Sequence, residues 1–313
     1  MNYASDHKDF PDLLRATADA RGLPPWIVEK DYYVTRALRA LRDKIGGQFL
    51  FKGGTSLSKG WNLIERFSED IDLLFQVEED GKALGKNQRH TRFKEAEAIV
   101  VATPGFTLVK PEGGLSSETG MHRETWLVYP YVNAPTTPVS DKIRLEMNCR
   151  GGHEPYKERS IQSFVSEFAA SQGATDIGDD LTVFPIDCLD VTRTFVEKLF
   201  AAHAAFELDR ALGRTRHYSD LYELAGLAEV QKFITDGNFA RICESVREFS
   251  KEHWPGQALP PGLSFAKYPF LAPTAEHVRE LTRNYAAERI LFFREPPTMP
   301  VILERLQALP FPS

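Results

Sequence analysis

Apolar positions in the first part of this chain recur first at helical and then at strand spacing. Residues 8–43 read as helical, and Gly22, followed by Pro24 and Pro25, breaks the run. Pro11 suits a first helical turn. The second helix carries Trp26, Ile27, Tyr33, Val34, Ala37, Leu38 and Leu41, and Gly46-Gly47 ends it. Gln48–Lys52, with Phe49, Leu50 and Phe51 in a row, reads as a short buried strand. Gly53 and Gly54 turn the chain, and Thr55 or Ser56 is placed to cap a helix whose buried face is Leu57, Trp61 and Ile64. From Asp70 to Gln76, acid and apolar residues alternate at strand period.

Residues 88–103 predict another helix. Thr107–Lys110, Thr125–Val132 and Lys142–Cys149 predict a β-meander with Gly-, Ser- and Pro-rich loops. Residues 150–188 show little pattern. Beyond Asp190 the character changes: Val191, Phe195, Leu199, Ala202 and Phe206 form a stripe along a long helix. Further helices are predicted at 218–233, 238–253, 274–293 and 299–308, with a Pro-rich connection over 255–273. The outline is an α+β protein, mixed in residues 1–185 and helical in 186–313.

Composition narrows the class. The 313 residues are 42% hydrophobic and 26% charged, which suits a folded globular protein and excludes a disordered, collagen-like or disulfide-built chain. A formal charge of -6 argues against a general nucleic-acid coat. It leaves room for a local basic groove, for which Arg193, Arg210, Arg214, Arg216 and His217 are candidates; a solvated helix pair explains them equally well. The three cysteines, Cys149, Cys188 and Cys243, are scattered without metal-ligand spacing and read as free thiols. The polar N-terminus lacks a secretory core, and no run reaches the ~18 apolar residues of a membrane span. A cytoplasmic protein without a membrane partner is expected.

The chemistry concentrates in Phe51-Lys-Gly-Gly-Thr-Ser-Leu-Ser-Lys59 followed by Phe67-Ser-Glu-Asp-Ile-Asp-Leu73. Period-two geometry puts Asp70 and Asp72 on one strand face. Adjacent like charges are costly unless a cation lies between them, and Mg²⁺ takes carboxylate and phosphate oxygens. The Gly-Gly turn lets backbone approach a phosphate, and the helix after it turns free N–H groups to an anion. Either half alone is common in purely structural settings. Their order and spacing together describe a nucleoside-triphosphate site.

These segments resemble the polymerase-β-type nucleotidyltransferase superfamily and, more narrowly, the AbiEii/AbiGii toxin family with its MenT-like members. The matching text includes Glu29-Lys-Asp-Tyr-Tyr33, the two segments above, Lys142-Ile-Arg-Leu-Glu146, Glu197-Lys-Leu199, and Arg216 through Asp220-Leu221. The resemblance implies a polymerase-β-type core with a helical C-terminal domain that completes the active site. It implies that Gly53, Gly54, Thr55 and Ser56 contact the triphosphate and that Asp70 and Asp72 hold two Mg²⁺ ions. Glu146 is implied as a third acid, in a strand where Ile143, Leu145 and Met147 alternate with Arg144, Glu146 and Asn148; an exposed strand glutamate is the plain alternative.

Asp220 shares a helix face with Leu224 and Leu227, where a carboxylate needs a partner. Lys198, on the preceding helix, is one. The resemblance assigns Lys198 to the triphosphate and Asp220 to orienting the site; a structural salt bridge is the alternative. Ser68 shares the aspartates' face if the strand extends to it, and is a candidate phosphate contact. Lys30 and Asp31 suggest no more than an ion pair. Cys149, Tyr32, Tyr33, Phe292 and Phe293 read as core residues, and His203 and His217 as surface or packing residues.

The implied activity is transfer of a nucleotidyl group from an NTP to an acceptor, with pyrophosphate released. For MenT-like relatives the acceptor is the tRNA 3′ end, which blocks translation, in toxin–antitoxin and phage-defence systems with a cognate antitoxin as partner. The alternatives are a protein or small-molecule acceptor, or an NTP-binding module without turnover.

Overall fold

The computed structural model describes residues 2–68, 70–79, 81–109, 120–133, 141–149, 151–174, 177–207, 215–253, 265 and 268–312. By its contacts the chain divides into two compact units. The first comprises Met1–Trp61, Phe67–Arg150 and Tyr156–Cys188; the second comprises Asn62–Arg66, Gly151–Pro155 and Leu189–Ser313.

The first unit opens with helices α1 (Phe10–Arg21) and α2 (Pro25–Ile45), separated where Gly22 takes a left-handed φ of 64°. Strand β1 (Phe49–Lys52) runs into a short helix α3 (Gly53–Lys59), and β2 covers Asp70–Phe75. A small hairpin, β3 (Glu78–Glu79) and β4 (Lys82–Ala83), precedes α4 (Lys86–Ala102). Then come β5 (Thr107–Val109), β6 (His122–Val128), β7 (Ile143–Asn148), β8 (Tyr156–Ile161), α5 (Phe164–Ser171) and β9 (Phe184–Leu189).

Seven strands form one mixed sheet in the order β5-β6-β7-β2-β1-β9-β8. β5, β6 and β7 make the expected antiparallel meander, and β7 then joins β2 in parallel, while β2 is antiparallel to β1. Burial alternates along these strands. Ile71 and Leu73 are buried on β2 and Ile143 and Leu145 on β7, whereas Asp70, Asp72, Arg144 and Glu146 are half-buried. Phe75, on the face of Ile71 and Leu73, meets Phe93 of α4 edge-on at 5.4 Å, so α4 backs the apolar face.

Helix α2 is buried nearly all round and packs against α1, α4 and α5. Its charged residues are therefore partnered. Asp31 pairs with Lys59 of α3, both side chains only 5% exposed, and also accepts the Phe164 amide at 2.8 Å. Glu29 accepts the backbone N–H groups of Val132 at 2.6 Å and Asn133 at 2.8 Å, so it ties a loop to the helix. Burial raises the Glu29 pKa, and these donors pull it back. Glu29→Ala is expected to cost about 2 kcal/mol, the loss of charge-assisted hydrogen bonds, read by urea denaturation.

The second unit is helical: α6 (Val191–Glu207), α7 (Arg216–Ala225), α8 (Ala228–Thr235), α9 (Asn238–His253), α10 (Ala275–Ala287) and α11 (Met299–Gln307). Helix α6 packs on α7, α8 and α9, and α7 on α11. Phe195, Leu199, Leu221, Leu224, Ile302 and Leu306 are buried. Among the described residues no helix is long and apolar enough to cross a membrane.

Several expected boundaries change. The helix after Gly54 stops at Lys59; Trp61 and Ile64 are buried beyond it, and Asn62 takes a positive φ of 51° that no helix continues through. Neither Thr55 nor Ser56 caps that helix: the residue before it is Lys52, and the Thr55 hydroxyl donates instead to the Asp70 carbonyl. Ser68 lies before β2 rather than on it, so it does not share the aspartates' strand face. The helix expected over 218–233 is two helices, broken at Gly226 and Leu227. Phe292 and Phe293 are half-buried rather than core. Residues 150–188, which predicted little, contain β8, α5 and β9. Lys110, Arg210, Arg214 and most of 255–273 lie outside the described residues.

Candidate active site

The sheet's register builds a charged row from strands distant in sequence. Lys52 of β1 stands opposite Asp72 of β2, Asp72 opposite Glu146 of β7, and Glu146 opposite Glu124 of β6. One step along, Asp70 lies opposite Arg144, which lies opposite Trp126. The Asp70 carboxylate is bonded to the Arg144 guanidinium.

Among the described residues Asp72 has no such direct cation. Its pKa is pushed up to about 8, first by burial and then by the charges of Glu146 and Asp70; Lys52 and Arg144 pull the other way. A carboxyl group this far from its ordinary range, beside another acid, is what a binding or catalytic site requires.

Gly53 covers this acid. It has a φ of 76°, and a Cβ built there would lie 2.0 Å from Asp72 Oδ2. Only glycine combines that backbone conformation with that approach. Gly53→Ala is therefore expected to displace the Asp72 carboxylate and lower transfer activity at least about tenfold, by analogy with disturbed outer contacts of a ligand. A parallel melting curve separates misplacement from unfolding. Gly54 follows in the first turn of α3, Thr55 is tied to β2 through the Asp70 carbonyl, and Ser56 is buried beside the Cys188 thiol, which burial pushes up to about 12.

In the second unit, Asp220 of α7 is fully buried and holds two cations. Arg66 donates to it through both Nε, at 2.8 Å, and Nη2, at 2.7 Å, while Lys198 Nζ of α6 donates at 2.6 Å. Burial alone raises the Asp220 pKa, but the two cations override it and hold the carboxyl well below its ordinary range. The pairing of Lys198 with Asp220 follows the helix-face argument.

Sequence reasoning passed over Arg66, Glu124 and a role for Arg144. Arg144 shares a strand face with Glu146 by period two, which was the available signal. Glu124 and Arg66 become visible only through register and tertiary pairing.

Of the candidate basic groove, Arg210 and Arg214 lie outside the described residues, and two of the others are partnered. Arg193 is 2% exposed and donates to the Glu154 carbonyl at 3.0 Å, and Arg216 pairs with Glu288. His203 is buried against the rings of Tyr268 and Phe270. Cys149, Tyr32 and Tyr33 are core, as expected.

Among the described residues no three or more His, Cys, Asp or Glu side chains are gathered to hold a metal ion. The donor chemistry nonetheless fits a hard divalent cation: Asp72 and Glu146 are register neighbours that offer carboxylate oxygens, and their repulsion raises Asp72. Asp70 gives one oxygen, Oδ2, to Arg144 and keeps the other.

A mixed sheet with an acid row, beside a Gly-Gly helix start, is the arrangement the sequence resemblance to nucleotidyltransferases implies. MenT4, a nucleotidyltransferase toxin of Mycobacterium tuberculosis H37Rv, has a similar fold: the TM-score is 0.58 at 16% identity, over 95% of this chain and 87% of that one. The chain belongs to the AbiEii nucleotidyl transferase toxin family of type IV toxin–antitoxin systems, whose sequence model matches residues 36–309. A crystal structure of a nucleotidyltransferase-type protein from H. pylori overlaps over 88% of this chain and 91% of that one, at 16% identity and a TM-score of 0.42, too low to add to the assignment. No curated protein matches the chain significantly.

Proposed function

We propose that the chain transfers a nucleotidyl group from an NTP to the tRNA 3′ end, in the presence of Mg²⁺, at the face formed by Asp70, Asp72 and Glu146. The observation that carries this reading is the placement of Gly53 directly against the Asp72 carboxylate, opposite Glu146. The tRNA acceptor rests on the resemblance to MenT-like toxins. Family membership makes an NTP the substrate class and a cognate antitoxin the expected partner. A cytoplasmic setting and a part in phage defence belong to the same proposal.

In the reaction, an acceptor hydroxyl oxygen forms a bond to the α-phosphorus and gives up its proton to solvent, the bond from that phosphorus to the oxygen bridging to the β-phosphate breaks, and pyrophosphate leaves. Asp72 and Glu146 would hold a divalent cation, which would supply positive charge for phosphate oxygens and acidify a hydroxyl near it. The backbone at Gly53 and Gly54, without side chains, admits the triphosphate close to the acids. Thr55 fixes α3 to β2 and so fixes that distance. Arg144 orients the Asp70 carboxylate. Lys198 is assigned to triphosphate charge and Asp220, gripped by Arg66, to holding that ammonium in place. Ser56 and Ser68 are minor candidates for phosphate contact.

The test is incubation with each α-labelled NTP in turn, together with purified tRNA, total protein and aminoglycosides. Label on tRNA from the wild type supports the proposal. Label on protein or on a small molecule replaces the acceptor. NTP binding without label on any acceptor rejects turnover.

A further inference from the structure

The first unit contains a second cationic feature that shares no residue with the acid row. Positions 36, 39, 40, 43 and 44 fall on one face of α2, and 99, 102 and 103 on the last turn of α4 and just beyond it; with Tyr3 they line a cavity of about 310 Å³. Two guanidinium groups in its wall are buried, Arg36 at 4% and Arg39 at 8% exposure. Neither pairs with a carboxylate among the described residues. Arg36 donates to the Ser5 hydroxyl at 2.8 Å and the Pro104 carbonyl at 2.6 Å, and stacks on the Tyr3 ring at 3.5 Å. Arg39 uses only Nη2 on protein acceptors, the carbonyls of Thr182 and Asp180. The Nε atoms of both are buried without a hydrogen-bond partner.

A buried cation without a direct carboxylate bond is expensive, and Arg39 shows the cost: burial lowers its pKa, although the nearby charges of Asp43 and Asp180 pull it back. Lys44 adds a third positive charge at the exposed rim. The one acid of the lining, Asp43, already accepts a bond from Arg42 at 3.0 Å. The wall therefore holds more positive charge than a single carboxylate ligand would answer. A phosphate monoester carries about −1.5 to −2 near neutrality and matches the planar donor forks of arginine. The apolar side of the cavity, Ile99 and Ala102, suits a carbon skeleton.

We propose that this cavity binds a small organic phosphate, with the phosphate held by Arg36, Arg39 and Lys44 and the organic part resting against Ile99 and Ala102. The site lies apart from the acid row in residue content, so a ligand there acts independently of the NTP substrate.

The test is calorimetric titration of the full chain with phenyl phosphate, and with benzyl alcohol as the uncharged counterpart, without divalent cations. Saturable binding of phenyl phosphate alone is expected. Lys44→Gln, at an exposed position, should weaken it about tenfold, the scale of one lost charge-assisted contact. Ala102→Trp, also exposed, should fill the cavity and abolish binding without touching either arginine. Asp72→Asn should leave it unchanged. No saturable binding to the wild type, equal affinity for benzyl alcohol, retention in Ala102→Trp, or loss in Asp72→Asn would each overturn the proposal. The last outcome would place the phosphate at the acid row instead.

Discussion

Asp72→Asn is expected to abolish nucleotidyl transfer while stabilising the cation-free protein at alkaline pH. The two effects have one cause. The Asp72 carboxyl, shielded from water beside Glu146 and Asp70, has its pKa pushed up to about 8. Because this folded value lies above the ordinary carboxylate range, the native state holds a proton that the unfolded chain releases. The resulting stability is complete below about pH 4 and is lost as pH rises toward 8. Asparagine keeps the shape and never ionises, so the gap in melting temperature between variant and wild type should widen from pH 5 to pH 8, to about 2 °C or more. Activity should fall about a thousandfold, the upper end of what one electrostatic contact to a transition state supplies. A variant with wild-type activity would remove Asp72 from the chemistry. A melting gap independent of pH would show that its ionisation is not opposed by the fold.

Asp220→Ala should have the larger effect on stability. It leaves Arg66 and Lys198 as buried cations without the carboxylate that accepts these three bonds. Breaking a buried pair from one side costs on the order of 3–5 kcal/mol. Here the folded pKa is depressed, so the stabilisation is present above the unfolded value near 4 and is lost as pH falls through the folded value. The loss in Asp220→Ala should therefore be full at pH 7 and shrink in strong acid. Urea denaturation at pH 7 and pH 3 measures the full loss and the start of its decline. Lys198→Met removes one cation and leaves the bidentate Arg66 pair, so it should fold close to normally and lose transfer. Equal stability of wild type and Asp220→Ala at pH 7 would contradict the clamp.

Local periodicity made much of this fold legible. The Asp-x-Asp strand, the meander and the stripe of α6 are short-range patterns, and each appears within a few residues of its expected place. The pairing of Lys198 with Asp220 also follows from one helix face and the cost of a buried carboxylate. Signals failed where burial outlasted regular structure. Trp61 and Ile64 continue the spacing of α3 but are buried in an irregular segment after Gly60. β8 is an edge strand whose first residues are mostly exposed, so it carries little alternation, and Pro185 sits in β9 between the buried Phe184 and Ile186. The row Lys52, Asp72, Glu146 and Glu124 is a product of register across four strands, which no local window contains. Arg66 reaches a partner 154 positions away and left no local trace.

The central claim is that the acid row moves a nucleotidyl group rather than a terminal phosphate. Its most direct test compares α-labelled with γ-labelled NTP in parallel reactions of the wild type and Asp72→Asn with the tRNA acceptor. The account predicts label on the product from the α-position alone, with γ-label recovered in pyrophosphate and nothing transferred by Asp72→Asn. Product labelled from the γ-position, or α-label transferred by Asp72→Asn at the wild-type rate, would contradict it.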